Sequence, residues 1–141
     1  MCHLEFLEEP SPDQIRQITA LYRAESWWDG PDNPDHVAAL VRGSHCFVLA
    51  LLSPGAGGEI VGMGRAISDR ASDAYIQDVT VKQGFRHQQI GTRIIQKIVE
   101  RLTADGLRWI ALVAERGSAP FYAGIGFSAM ENSIPMKMRE L

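Results

Sequence analysis

The chain has 141 residues, of which 45% are hydrophobic and 22% charged, and its formal net charge is −3. That length suits a single domain spanning 1–141 with a real core, and no repeat or low-complexity run divides it. The acidic balance argues against a general nucleic-acid binder, no stretch approaches a membrane span, and the opening MCHLEFLEEP has neither a basic leader nor a long apolar run, so a soluble, cytoplasmic protein is expected.

In chain order, His3 to Leu7 reads as a short strand that Pro10 ends. Ser11-Pro12-Asp13 opens a helix, with Ser11 as N-cap and Pro12 at the first helical position, carrying Ile15, Ile18, Leu21 and Tyr22 on one face to about Ser26. The following SWWDGPDNP is rich in turn residues and holds Trp27 and Trp28. Two readings of the pair stay open: packing in the core, or lining a pocket for an apolar or cationic substrate. A second helix is expected over Pro34 to Arg42.

Three strands follow, His45 to Leu52, Glu59 to Ser68 and Asp73 to Lys82, joined by the turn SPGAGGE and by Asp69 to Ser72. Connections this short predict an antiparallel meander. Gly62 and Gly64 inside the third strand signal a bulge or a close backbone approach. After the fourth strand comes a loop with Gly84, Arg86, His87 and Gly91, then a helix from Gln89 to Ala104. Ile90, Ile94, Ile95, Ile98 and Leu102 recur on its apolar face, and Gly106 stops it. A fifth strand, Arg108 to Ala114, should lie parallel to the fourth. The segment APFYAGIGF reads as a short helix closed by Gly126, leading to a final strand that includes Ile134 to Met138.

The strand, loop and helix over Val79 to Leu102 make an anion site by elementary physics. Unpaired N–H groups converge at a helix start, the macrodipole adds positive charge, and glycine permits close approach. The loop lacks the Lys-Ser/Thr pair of a P-loop and the three-glycine spacing of a dinucleotide fingerprint. No metal is expected, because His3, His36, His45 and His87 show no ligand spacing and Cys2 and Cys46 add none; the cysteines read as free thiols.

Two segments carry a resemblance. Arg86, Gln89 and Gly91 resemble the Arg/Gln-x-x-Gly-x-Gly/Ala acyl-CoA pyrophosphate loop of the GNAT superfamily of N-acetyltransferases, with Gln89 in place of the first glycine. Phe121, Tyr122, Gly126 and Phe127 resemble that superfamily's Phe-Tyr-x-x-x-Gly-Phe element. With the VGMGRAISD stretch the resemblance runs from Cys46 onward. One departure is that Glu115 and Arg116 follow the fifth strand where many members carry an asparagine.

The resemblance implies a mixed α/β fold: a mostly antiparallel sheet of about six to seven strands, helices on both faces, and parallel fourth and fifth strands splayed at the cofactor site. It implies acetyl-CoA as cosubstrate, with Val79, Thr80 and Val81 giving main-chain groups to the pantetheine arm and thioester. Arg86, His87, Gln88, Gln89, Ile90, Gly91 and Thr92 would hold the pyrophosphate, with Arg93 nearby. Tyr122 is then the expected general acid, its phenol near pKa 10 (roughly) matching a thiolate leaving group. Asp78, bracketed by Ile76 and Thr80 on its strand face, is the first candidate base, the alternative being that it pairs with a neighbouring arginine. Asp69, Tyr75 and Glu25 follow as bases, and Trp27, Trp28 and Tyr75 are expected to shape the acceptor site. The expected acceptor is a small-molecule amine, with a protein N-terminus or lysine as runner-up and a silent acyl-CoA-binding module as the competing class. Self-pairing into a homodimer through the final strand stays open.

Overall fold

The computed structural model describes residues 2–54 and 57–140, so the expected turn SPGAGGE falls partly on Gly55 and Ala56, outside the described residues. The chain divides into two units, Met1–Ala111 and Leu112–Leu141.

The first unit carries the sheet. Strands β1 (His3–Phe6), β2 (Cys46–Leu51), β3 (Ile60–Ser68), β4 (Asp73–Val81) and β5 (Trp109–Ala111) lie side by side in chain order. All neighbours are antiparallel except β4 and β5, which are parallel. Helices α1 (Pro12–Ala24) and α2 (Pro34–Gly43) precede β2, and α3 (Ile90–Ala104) connects β4 to β5.

Local chemistry sets the helix ends. Ser11 Oγ accepts from the Gln14 amide at 3.1 Å while Gln14 Oε1 accepts from the Ser11 amide at 2.9 Å, a complete capping box with Pro12 behind it. At the other end of α1, Ser26 sits at φ +60°, the Ser26 amide donates to Arg23 O at 2.9 Å and the Trp27 amide to Tyr22 O at 3.1 Å. This Schellman turn reverses the chain so that both tryptophans fold back over the helix. Asn33 caps α2 through the His36 amide at 3.1 Å.

The sheet is covered on both faces. Ile18, Leu21, Tyr22, Val37 and Val41 of α1 and α2 pack with Phe47, Leu49, Leu51, Ile60 and Met63 of the sheet. On the opposite face, a Cβ at Gly64 would come within 2.8 Å of Ile94 and one at Gly62 within 3.1 Å of the same side chain. The two strand glycines therefore let α3 lie close against β3.

Three expectations are corrected. The sheet has five strands, not six to seven, and Ile134 to Met138 forms no strand among the described residues. An alternating pattern becomes a strand only when a partner accepts its ladder, and Pro135 removes one donor. The fifth strand is also shorter than Arg108 to Ala114: its ladder with β4 ends at Tyr75–Ala111.

In the second unit, α4 (Ala119–Ala123) ends as the sequence implies. Gly126 lies at φ +121°, its amide donates to Ala123 O at 3.2 Å and the Phe127 amide to Tyr122 O at 3.1 Å. The Phe-Tyr-x-x-x-Gly-Phe spacing is thus a Schellman termination, with glycine where the left-handed residue is needed.

Candidate active site

The site begins with an irregularity in β4. Met63 pairs with Thr80 and Arg65 with Gln77, so Asp78 and Val79 together face Gly64, and Asp78 takes φ +58°. This bulge inverts the alternation. Asp78 therefore does not share a strand face with both Ile76 and Thr80, as a regular strand would require; the extra residue moves Thr80 to the face opposite Ile76.

The bulge aims the Asp78 carboxylate at the α1 face. There Tyr22 Oη donates to Asp78 Oδ2 at 2.7 Å and Arg65 Nε donates to the same oxygen at 2.7 Å. Arg65 reaches Gln77 Oε1 at 3.3 Å and Ser44 Oγ at 3.4 Å as well. Asp78 is thus paired with an arginine, the alternative to a free base that the sequence had left open. Burial first, and then the Asp78 charge, push the Tyr22 phenol far above its ordinary pKa, so it stays a donor at every physiological pH.

Trp28 stacks flat on Tyr22, with ring centroids 3.8 Å apart and planes at 3°, and Trp27 meets it edge-on at 5.9 Å. Both indoles pack against the core, and the chain after them is tied down by Arg23 Nε to Asp32 Oδ1 at 3.0 Å. Of the two readings of the tryptophans, the structure shows the packing one, with Trp28 stacked on the tyrosine that holds the carboxylate. Sequence reasoning filed Tyr22 with the core face of α1 and missed its bond to Asp78, for which the bulge gave no sequence signal.

Beyond the bulge, the Lys82 amide donates to Val61 O at 2.7 Å. Main-chain groups alternate in direction along a strand, so Thr80 also faces β3 while Val79 and Val81 point to the other edge. No strand pairs with that edge past Tyr75 among the described residues. Val81 O takes a bond from Arg86 Nε at 2.8 Å.

The loop after β4 is anchored by Glu25, one of the carboxylates expected as a base. Glu25 Oε1 accepts from Thr80 Oγ1 at 2.8 Å and from Arg86 Nη2 at 3.0 Å. Arg86 is thereby held over the loop with half its side chain exposed and further N–H donors to spare. His87 and Gln89 both adopt left-handed backbone, at φ +64° and +66°. Gln89 is the N-cap of α3, yet its side chain makes no capping bond and no acidic residue occupies the first turn. The first helical bond is the Arg93 amide to Gln89 O at 3.0 Å, so the amides of Ile90, Gly91 and Thr92 precede the helical ladder. These uncapped donors, with Arg86 beside them, suit a diphosphate.

Other expected residues go elsewhere. Arg93 turns away from the loop to Cys2, 3.3 Å from its carbonyl and 3.2 Å from Sγ. Asp69 accepts from the amides of Ala71, Ser72 and Asp73 at 2.8, 2.8 and 3.1 Å, which holds its carboxyl far below the usual range. It is a turn-former and a poor base. Tyr75 lies at the far end of β4, edge-on to Trp109 at 5.2 Å. Tyr122, in the second unit, sits against Phe121 and Phe127 at 4.9 and 6.0 Å, and burial raises its pKa. A groove of about 410 Å³ lined by Arg42, Arg70 and Arg101 shares only Ser44 with this network among the described residues. Among the described residues no cluster of three or more His, Cys, Asp or Glu is arranged for a metal, and no helix is long and apolar enough to cross a membrane.

Comparison with known proteins matches residues 4–127 to the model of the Acetyltransferase (GNAT) family. A Glycine max protein described as a histone acetyltransferase is 37% identical over 75 residues, covering 53% of this chain and 32% of its own. An Arabidopsis thaliana protein described as a chloroplastic GCN5-related N-acetyltransferase is 35% identical over 76 residues, covering 54% of this chain and 30% of its own. The chain thus spans about a third of the length of these curated relatives. Among solved structures, a GNAT-family acetyltransferase of Streptococcus pneumoniae superposes with a TM-score of 0.81 at 20% identity over 99% of this chain and 98% of that one. An aminoglycoside acetyltransferase from an uncultured soil sample gives 0.78 at 20% identity over 99% and 97%. These likenesses establish the fold.

Proposed function

The chain belongs to the GNAT acetyltransferase family, and from that premise we propose that it moves the acetyl group of acetyl-CoA to a primary amine of a small molecule by direct attack in a ternary complex. The observation that carries the reading is the uncapped start of α3 beside the unpaired edge of β4. Residues 86–92 would hold the pyrophosphate, and Val79 and Val81 offer main-chain groups to the pantetheine arm. The cosubstrate supplies an activated acyl carbon and a thiolate leaving group.

This chain's residues do the rest. The Asp78 carboxylate, which also takes the bond from Arg65, would attract a cationic amine and accept its proton directly or through water; the indole faces over Tyr22 favour a partly apolar cation. Tyr122 enters by its motif and its chemistry: a half-buried phenol with a raised pKa keeps the proton that a departing thiolate needs.

Thermal denaturation with and without acetyl-CoA tests the cofactor half, since a ligand present at 100 times its Kd adds about 2.7 kcal/mol of apparent stability. A panel of small amines and of peptides with free N-termini, followed by thiol release, tests the rest. Tyr122→Phe should lower turnover by tenfold or more with little change in acetyl-CoA affinity; unchanged turnover removes the proposed role. The strained Gln89 at the phosphate loop keeps one rival in view, a silent acyl-CoA-binding module, which the same panel would expose as stabilisation by cofactor without thiol release on any amine.

A further inference from the structure

One end of the first unit's sheet carries a groove with a chemistry of its own. Its volume is about 410 Å³, within the range that holds small molecules, and it opens where β1 stops, β2 starts and the turn between β3 and β4 passes. Arg42 reaches it from the last turn of α2, Arg70 from the β3–β4 turn and Arg101 from the last turn of α3. Phe6, Leu7, Val41 and Phe47 supply apolar wall between them. Arg101 lies eleven residues past Ile90, about 16 Å along the helix axis, so the groove is well separated from the amides that open α3.

Elsewhere in the first unit, Arg16, Arg23, Arg65 and Arg86 each meet a carboxylate at 3.0 Å or less. The groove's arginines do not. Arg42 Nε stays 3.5 Å from Glu9, and Arg70 Nη2 reaches only the Ser44 carbonyl, at 3.4 Å, both beyond the span of a good hydrogen bond. Arg101 rests with its guanidinium carbon 3.9 Å from the centre of the Phe6 ring and has no ion pair among the described residues. Each guanidinium carries five donors, and one stacked on a ring keeps them at its edge. The neighbours leave those donors open. His45 is engaged on both sides, with Nδ1 2.6 Å from Ser68 Oγ and Nε2 2.8 Å from Asp105 Oδ2. Burial pushes the Cys46 thiol up to about 11 although the Arg101 charge pulls it down, so no thiolate forms there to pair with the arginine.

We propose that this groove is a second ligand site, which takes a small carboxylic acid with a short apolar chain. Guanidinium groups that converge without close partners repel one another, and an oxyanion that accepts their N–H bonds removes that cost. The lining also sets the charge of the ligand. Glu8 and Glu9 stand at the same groove, so three cations against two carboxylates leave one net positive charge. A single carboxylate matches it. A phosphate dianion brings a second charge that the two glutamates repel. The apolar wall then covers the methylene chain, which an ion without a body cannot use. The site is independent of acetyl transfer, and the proposal stands whether or not the amides of α3 hold a diphosphate.

The test is a titration of the isotope-labelled full chain with sodium hexanoate, hexanol and inorganic phosphate, followed through the backbone amide resonances of Cys46 and Arg70. Hexanoate should shift those resonances saturably at millimolar concentration, and hexanol and phosphate should each bind at least about tenfold more weakly. Arg42→Gln and Arg101→Gln, made separately, should each raise the hexanoate Kd by at least about tenfold, as loss of a charge-assisted bond does. Arg86→Gln should leave it unchanged. Neither groove arginine is paired at close range within the fold, so both variants should keep the wild-type circular dichroism. The absence of a saturable shift overturns the proposal, as does hexanol or phosphate binding as tightly as hexanoate. A Kd that either groove substitution leaves unchanged overturns it too. Shifts confined to residues 86–92 and lost in Arg86→Gln would place the anion at the start of α3 and overturn the second site while supporting the first.

Discussion

Two regions beside β4 use the same strained backbone to opposite ends. At the bulge, Asp78 sits at φ +58°, and its carboxylate takes bonds from Tyr22 and Arg65, both at 2.7 Å. At the start of α3, His87 and Gln89 sit at φ +64° and +66°, and the N-cap side chain bonds to nothing in the helix. Left-handed backbone at a non-glycine residue costs on the order of 1–2 kcal/mol in either place. In the first region contacts within the chain offset that cost. In the second no capping bond offsets it, and under the proposed function the converging amides would take their acceptor from the cosubstrate.

The largest expected effect breaks the first region. Asp78→Ala removes the acceptor from an Arg65 side chain that is only 14% exposed, and from the buried Tyr22 hydroxyl. Stranding a largely buried cation and a phenol together should cost about 3 kcal/mol in urea unfolding. Tyr22→Phe, which removes one hydrogen bond to a charged group, should cost about 1.5 kcal/mol. An Asp78→Ala loss no greater than that of an ordinary surface substitution, about 0.5 kcal/mol, would show that the carboxylate is held for the substrate alone.

A smaller effect, of opposite sign, sharpens the second region. Gln89→Gly removes the Cβ from a residue at φ +66° that makes no capping bond, so the relieved strain exceeds the added chain entropy of the unfolded state. A gain of about 0.5–1 kcal/mol in denaturant unfolding is expected, with unchanged helix content. Glycine is also what the family's loop pattern carries there, so acetyl-CoA stabilisation should be kept or increased. A loss of stability would mean that Gln89 holds the loop through its side chain.

How much of this the sequence disclosed follows from what is local. The Ser11 N-cap, the α3 apolar face, the stops at Gly106 and Gly126 and the parallel fifth strand all rest on short-range patterns, and all are present. The bulge was not legible, because one extra residue changes parity without changing composition; that single shift misplaced Asp78 relative to Ile76 and Thr80. Glu25 and Tyr22 read as a candidate base and a core position, and their bonds to Arg86 and Asp78 span 61 and 56 residues. The final strand failed for a related reason: Ile134 to Met138 has the pattern, but pairing is a property of a partner.

The smallest effect concerns a carboxylate that shows what converging amides do in this chain when an anion is present. Asp69 gathers the amides of Ala71, Ser72 and Asp73 much as the start of α3 presents those of Ile90, Gly91 and Thr92, but it supplies its own charge from within. Those bonds hold its pKa well below the ordinary aspartate value. The sign follows: a carboxyl whose folded pKa is depressed stabilises the fold above its unfolded pKa, near 4 (roughly), and that contribution is lost as pH falls through the folded value. Asp69→Asn keeps one acceptor oxygen and loses the charge. The stability gap between wild type and variant should therefore be constant from neutral pH down to about 5 and narrow steadily below about 4. A gap that persists unchanged into acid would show that the turn uses the shape of the side chain and not its charge, and would weaken the same electrostatic argument for a diphosphate at α3.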